Sequence, residues 1–285
     1  MFNSFSSLCK NNPIPVFFTL TFAIAWSIWL PLGIFAPANV LLTLPGAWAP
    51  TLAAVILIGL SEGRRGIKRF LKKVLHWRVG LHWYLVVLFG VAAIAYLAIG
   101  IGMVFGLSAP EIALPAGVPK DSLLGALPFI FVLNIFVGGP LAEDIGWRGY
   151  ILPKMRERMS ALSASLIIGA MWAIWHLPYF IFPAWRGITG NIPFLWFALL
   201  TTGWSVLFAW VYVNTESILM PVLFHASINT TLGTLGILGP GNGNLIPLLI
   251  NIILTWLAVG IVLLIFGRDL KQAPGKFETK SPVVF

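Results

Sequence analysis

Long apolar runs, separated by short polar stretches, recur eight times along this chain. Their approximate limits are 14–36, 42–60, 82–107, 122–141, 161–182, 192–213, 217–237 and 245–267. The runs are continuous rather than alternating. They predict α-helices, not the strands of an outer-membrane barrel, whose polarity switches at every residue. Each is near the ~20 residues a helix needs to cross the hydrocarbon core. Glycine and proline fall inside many of them. Spanning helices tolerate this, because neighbouring helices satisfy the freed backbone groups. The expected fold is all-α: a polytopic membrane helix bundle of about eight transmembrane helices, one transmembrane domain over residues 1–285.

Composition agrees with the pattern. Of 285 residues, 59% are hydrophobic and only 9% charged, and the mean hydropathy is +0.93. A soluble domain carries about 25% charged residues. The net charge of +9 would suggest nucleic acid in a soluble protein. Here the charges sit beside apolar spans, so the expected partner is the anionic surface of the inner leaflet, and no nucleic acid is expected. Cys9 is the only cysteine, so no intrachain disulfide can form. The first run is too long for the core of a signal peptide and reads as a retained span.

The basic residues also set an orientation. With the N-terminus inside, 16 of the 18 lie in inner segments, and only Lys120 and Arg186 lie outside. Such a bias predicts an N-in, C-in topology. Seven of the 16 cluster between Gly63 and Arg78. There Ile67, Phe70, Leu71, Val74 and Leu75 recur at helical spacing, which predicts a short amphipathic helix on the inner membrane surface. Its plainest role is a topology anchor. The polar tail 271–285 is expected to be mobile. No repeat, dinucleotide fingerprint or phosphate loop is visible.

Against this background, a few ionisable groups stand out at membrane depth. Each costs ~2.5–3.5 kcal/mol to insert on translocation scales, so they usually mark a working site. Glu143 and Asp144 follow Gly138-Gly139-Pro140, a sequence suited to ending one helix and opening another. On the new helix Asp144 and Arg148 are four apart and share a face, while Glu143 is about 100° round from Asp144. Asp144 can then neutralise Arg148 and leave Glu143 for proton transfer. The plainer alternative is an interfacial ion pair at a helix end. His176 follows Trp172 by four residues, so the indole can pack beside the imidazole, and Pro178 ends or kinks the helix just beyond. His225 and Asn229, again four apart, share a face and offer donors for a carbonyl or a developing oxyanion. Taken singly, the histidines and the amide could be hydrogen-bonding links between helices. Together the three elements supply a base to activate water and donors for a tetrahedral intermediate. Glu143, His176 and His225 could instead hold a divalent metal such as zinc with one open position. Metal-free and metal-assisted hydrolysis remain alternatives at this level.

These residues resemble one family. Glu143-Asp144-x-x-x-Arg148, Trp172-x-x-x-His176 and His225-x-x-x-Asn229 match in order and spacing the motifs of the CAAX prenyl endopeptidase type II-like (CPBP, or Abi-domain) intramembrane proteases. The flanking Trp147-Arg148-Gly149-Tyr150 and Ser217-Ile218-Leu219-Met220-Pro221 are similar too, so the motif-bearing core spans about 120–235. Two positions depart from the family's pattern: Asp144 stands for a second Glu, and Trp172 for the commoner Phe. The resemblance implies peptide-bond hydrolysis in a membrane cavity. Glu143 and His176 would activate water, His225 and Asn229 would hold the oxyanion, and Arg148 would hold the acidic turn, with no organic cofactor. Membrane lipids and a peptide or lipidated protein substrate are the implied partners, in the cytoplasmic membrane of a prokaryote. Two other readings compete. One is a non-catalytic relative acting in immunity or scaffolding, kept open by Asp144. The other is a proton-coupled transporter, disfavoured by the absence of an inverted repeat.

Overall fold

Every apolar run read from the sequence contains helix, and no strand occurs among the described residues. The computed structural model describes residues 9–36, 39–109, 111–112, 114, 122–185, 192–235 and 245–271. The expected mobile tail lies outside the described residues from 272 on, as do Lys120 and Arg186 of the charge argument. The chain opens with α1 (Pro13–Phe35), α2 (Val40–Ala47), α3 (Ala49–Val74) and α4 (Leu81–Val104). Then come α5 (Leu123–Val137), α6 (Pro140–Gly146), a π-helical turn over Trp147–Ile151, and α7 (Leu152–Arg156). α8 (Ala161–Trp175), the short α9 (Pro178–Ile181), α10 (Phe194–Thr215), α11 (Leu219–Thr234) and α12 (Ile246–Phe266) complete the order.

By length and composition, five helical stretches can cross a membrane: Pro13–Phe35, Leu41–Val74, Leu81–Val104, Phe194–Thr215 and Ile246–Phe266. A sixth forms if Leu123–Val137 and Pro140–Arg156, bent by 48°, count as one span. The other two of the eight expected spans are shorter helices. Run 161–182 is cut after Trp175, where Pro178 cannot continue the ladder, leaving 15 residues in α8. Run 217–237 becomes the 16-residue α11, whose apolar character is interrupted by His225, Ser227, Asn229, Thr230 and Thr231. The molecule is a multi-pass integral membrane protein built from helices.

Outer and inner helices differ in how much of them is covered. α1 buries Phe17, Thr21, Ala25 and Trp29, a stripe one helical turn apart, and leaves much of its apolar surface outward. α10 from Leu200 onward and α11 are buried nearly all round, as expected for helices at the centre of a bundle. Without a hydrophobic force between helices in lipid, small residues that permit close approach carry the packing. Ser165 and Gly169 form such a pair on α8. Ser205 Oγ of α10 donates to the Ser165 carbonyl at 2.8 Å, and a Cβ on Gly169 would lie 2.6 Å from Thr202 Cα. The approach of α6 to α3 is as tight. Thr51 Oγ1 donates to the Ala142 carbonyl at 2.6 Å, and a Cβ on Gly146 would fall 2.3 Å from the Pro50 carbonyl carbon.

Since backbone cannot rotate aside as a side chain can, Gly146→Ala is expected to destabilise the protein by about 1–3 kcal/mol. A lowered thermal midpoint in detergent would show it. Gly100→Ala is the control, because a Cβ there meets nothing within 4 Å. Equal midpoints for the two variants would contradict the close approach.

At Gly63 the α3 backbone turns to φ 64°, outside helical geometry, so the basic stretch 64–74 leaves the line of the apolar part as a separate arm. A positive φ of this kind favours glycine.

Candidate active site

The acidic pair owes its position to a broken helix. α5 ends at Val137 with Gly138 as its C-cap, and Gly139 takes φ 97°, a left-handed conformation that lets the chain restart as α6 with Pro140 in its first turn. The side chain of Glu143 lies back over this break. A Cβ on Gly139 would sit 2.2 Å from Glu143 Oε1, so the missing side chain makes room for the carboxylate. Beyond α6 the π-helical turn carries Arg148. Such local widenings frequently occur at functional sites.

Asp144 and Glu143 have different surroundings, as the helix geometry predicts. Asp144 is fully buried and uses both oxygens: Arg148 Nη1 donates to Oδ1 at 2.7 Å, and His225 Nδ1 lies 2.9 Å from Oδ2. The guanidinium of Arg148 packs against two aromatic rings, 4.5 Å from the Trp172 ring centroid and 4.4 Å from that of Phe208. This contact helps hold a cation whose Nη2 has no hydrogen-bond partner among the described residues. Glu143, 4% exposed, instead accepts a 2.6 Å hydrogen bond from the Trp172 indole at Oε2.

His176 caps α8. Its backbone N–H and its ring Nδ1 both reach the Trp172 carbonyl, at 3.3 and 2.9 Å. A carbonyl only accepts, so Nδ1 carries the proton, and Nε2 is the basic nitrogen of the neutral ring. A carboxylate likewise accepts, so the Nδ1 proton of His225 points to Asp144. With Nδ1–H directed to Asp144, Nε2 is the nitrogen free to act. Asn229 Nδ2 donates to the Gly138 carbonyl at 2.9 Å, which commits one amide hydrogen and leaves the second. Asn134 of α5 donates to Thr230 Oγ1 at 3.0 Å, a second link between α5 and α11.

Glu143, His176, His225 and Asn229 line one cavity of about 180 Å³. The edge of Trp172 connects the imidazoles, with ring centroids 5.9 Å from His176 and 5.2 Å from His225. Apolar walls come from Leu44, Ala47, Val137, Phe197 and Trp204. The set does not suit a metal as placed. Among the described residues no three His, Cys, Asp or Glu side chains form a group able to hold an ion, and one Glu143 oxygen is taken by the indole. The zinc alternative on Glu143, His176 and His225 is therefore not met by this geometry.

Sequence reasoning paired Asp144 with Arg148 but missed its second partner, His225. It placed Trp172 beside an imidazole and missed its bond to Glu143. It also passed over Thr43 and Tyr179, which line the cavity. Tyr179 follows His176 by three residues, and that spacing was the available signal.

A bent pair of apolar helices, two imidazoles and a buried carboxylate thus surround one cavity. Residues 125–231, which contain all three motifs, match the family model described as type II CAAX prenyl endopeptidase Rce1-like. The chain is also similar to CAAX prenyl protease 2 of Methanococcus maripaludis, 26% identical over 238 residues covering 77% of this chain and 83% of that protein.

Proposed function

We propose that this protein hydrolyses a peptide bond of a membrane-associated substrate, and that prenylated proteins ending in a CAAX-type sequence are its substrate class. The observation that carries the reading is the single cavity wall shared by Glu143, His176, His225 and Asn229. Glu143 takes a proton from water, assisted by His176 Nε2. The water oxygen bonds to the carbonyl carbon, and the resulting oxyanion accepts from His225 Nε2–H and the second Asn229 amide hydrogen. His225 donates from Nε2 as an imidazolium, held against the Asp144 carboxylate. Collapse breaks the C–N bond, and the proton held by Glu143 passes to the leaving amine. Asp144, Arg148 and Trp172 position these groups. The apolar walls suit a lipidated segment entering from the bilayer. The relative's name and the family support the substrate class.

In the N-in, C-in orientation favoured by the basic residues, the protein resides in the cytoplasmic membrane of a prokaryote as one transmembrane domain. Asp144 in place of Glu prompted the non-catalytic alternative. Its two short bonds support a positioning role for which the shorter side chain suffices.

The test is a cleavage assay with the purified full chain in proteoliposomes, using a reporter peptide with and without a prenylated cysteine. Cleavage of the lipidated peptide is expected. His176→Ala should lower the rate by about 10²–10⁴-fold, the usual worth of a proton-transfer group, at an unchanged thermal midpoint. Failure to cut either peptide, in a preparation that is folded, would overturn the substrate class. An undiminished rate in the variant would remove His176 from the chemistry.

A further inference from the structure

The arm 64–78 has a feature that topology alone does not require. It is fastened to two of the elements that carry the polar site. Gly66 and Phe70 are buried, and Phe70 Cε2 lies 3.1 Å from where a Cβ on Gly149, in the π-helical turn, would stand. The Lys73 carbonyl accepts from Ile218 N–H at 3.1 Å, just before α11 begins. Ser217 Oγ donates to the His76 carbonyl. The arm thus braces the turn that bears Arg148 and the start of the helix that bears His225 and Asn229.

Its outer face is unlike the rest of the molecule. Arg64, Arg65, Lys68, Arg69, Lys72, Lys73 and Arg78 are all exposed. The nearest acid in the sequence, Glu62, pairs with Arg69 at 2.6 Å. Among these cations stand exposed apolar side chains: Leu71, Leu75 at 75% and Trp77 at 59%. Arg78 stacks over the Trp77 ring at 5.4 Å. The arm also connects two helices apolar enough to span, so it lies where the bilayer meets water.

We propose that the face formed by Lys68, Lys72, Lys73, Leu75 and Trp77 is a docking surface for anionic phospholipid headgroups, and that its occupation stabilises the fold through the Ser217–Ile218 and Gly149 contacts. Charge complementarity selects the headgroup, and the apolar side chains select a bilayer surface over a soluble anion. This inference does not rest on proteolytic activity.

The test titrates the detergent-solubilised full chain with phosphatidylglycerol or phosphatidylcholine and follows the thermal midpoint. Phosphatidylglycerol should raise the midpoint saturably, and less so at high salt. The variant Lys68→Gln/Lys72→Gln/Lys73→Gln should keep its lipid-free midpoint but bind phosphatidylglycerol on the order of 100-fold more weakly, about fivefold per charge. Leu75→Ser/Trp77→Ser should also weaken binding, in a manner insensitive to salt. Equal responses to the two lipids, or an unaltered response in the lysine variant, would overturn the proposal. So would an equivalent rise with inorganic phosphate or with polyglutamate in lipid-free micelles, which would assign the face to soluble anions or acidic chains.

Discussion

Arg148→Met is expected to destabilise the protein by about 3–5 kcal/mol, the usual cost of removing one partner from a buried ion pair. Arg148 and Asp144 are 1% and 0% exposed, and their 2.7 Å bond is shielded from water. Without the guanidinium, the Asp144 carboxylate keeps only His225 Nδ1. The contact of the cation with the Trp172 and Phe208 rings is lost as well. At about 2–4 °C per kcal/mol for chains approaching this size, the thermal midpoint in detergent should fall by roughly 10 °C. Asp144→Asn in the same chain removes the stranded charge and should recover much of the loss, because neutral replacement of a buried pair is often tolerated. It should not recover cleavage, since His225 would lose the carboxylate that accepts from its Nδ1. An unchanged midpoint in Arg148→Met alone would show that the pair is not the brace described.

The fold was legible to the extent that hydropathy determines it. All eight apolar runs contain helix, because an unsatisfied backbone in lipid leaves few other choices. The number of full crossings was less legible. In α11 the apolar surface faces other helices rather than lipid, and hydropathy cannot separate the two environments; α8 is cut short by the break before Pro178. The amphipathic arm was readable from its period, and its start at Gly63 from composition. The π-helical turn at Trp147–Ile151 was not readable. Its hydrogen-bond register depends on the packing of α6 against α3 and of Gly149 against Phe70 and Ile218, contacts made between distant segments.

The site divides in the same way. Relations within one helix could be derived: Asp144 with Arg148, Glu143 turned to a different direction, and His225 with Asn229 on one face. Relations between helices could not. Nothing local indicates that Asp144 reaches His225 across 81 residues, or that the Trp172 indole reaches Glu143 across 29. The departures from the family pattern become intelligible only with these bonds in view. Asp144 is short but reaches both partners. Trp172 brings an N–H that Phe lacks and spends it on the proposed base.

That last bond makes Glu143→Gln the most informative substitution in the cavity. Glutamine has nearly the same shape and keeps a carbonyl oxygen to accept from the Trp172 indole, so the surroundings of the side chain are preserved. What it cannot do is take a proton from water. Cleavage of the lipidated reporter is therefore expected to fall by about 10²–10⁴-fold in kcat with little change in KM. The thermal midpoint should stay level or rise, because a charge 4% exposed in an apolar wall has been removed. Trp172→Phe separates proton transfer from positioning. It deletes the indole donor, keeps a ring beside both imidazoles, and should lower cleavage by about 10- to 160-fold at most, since one hydrogen bond to a charged group is worth ~1.5–3 kcal/mol and Glu143 itself remains. If Glu143→Gln retained wild-type kcat, the carboxylate would not be the base. If the variant also rescued the phenotype of a strain lacking the protein, the non-catalytic reading would replace hydrolysis, because a scaffold requires the shape of this residue and a protease requires its proton affinity.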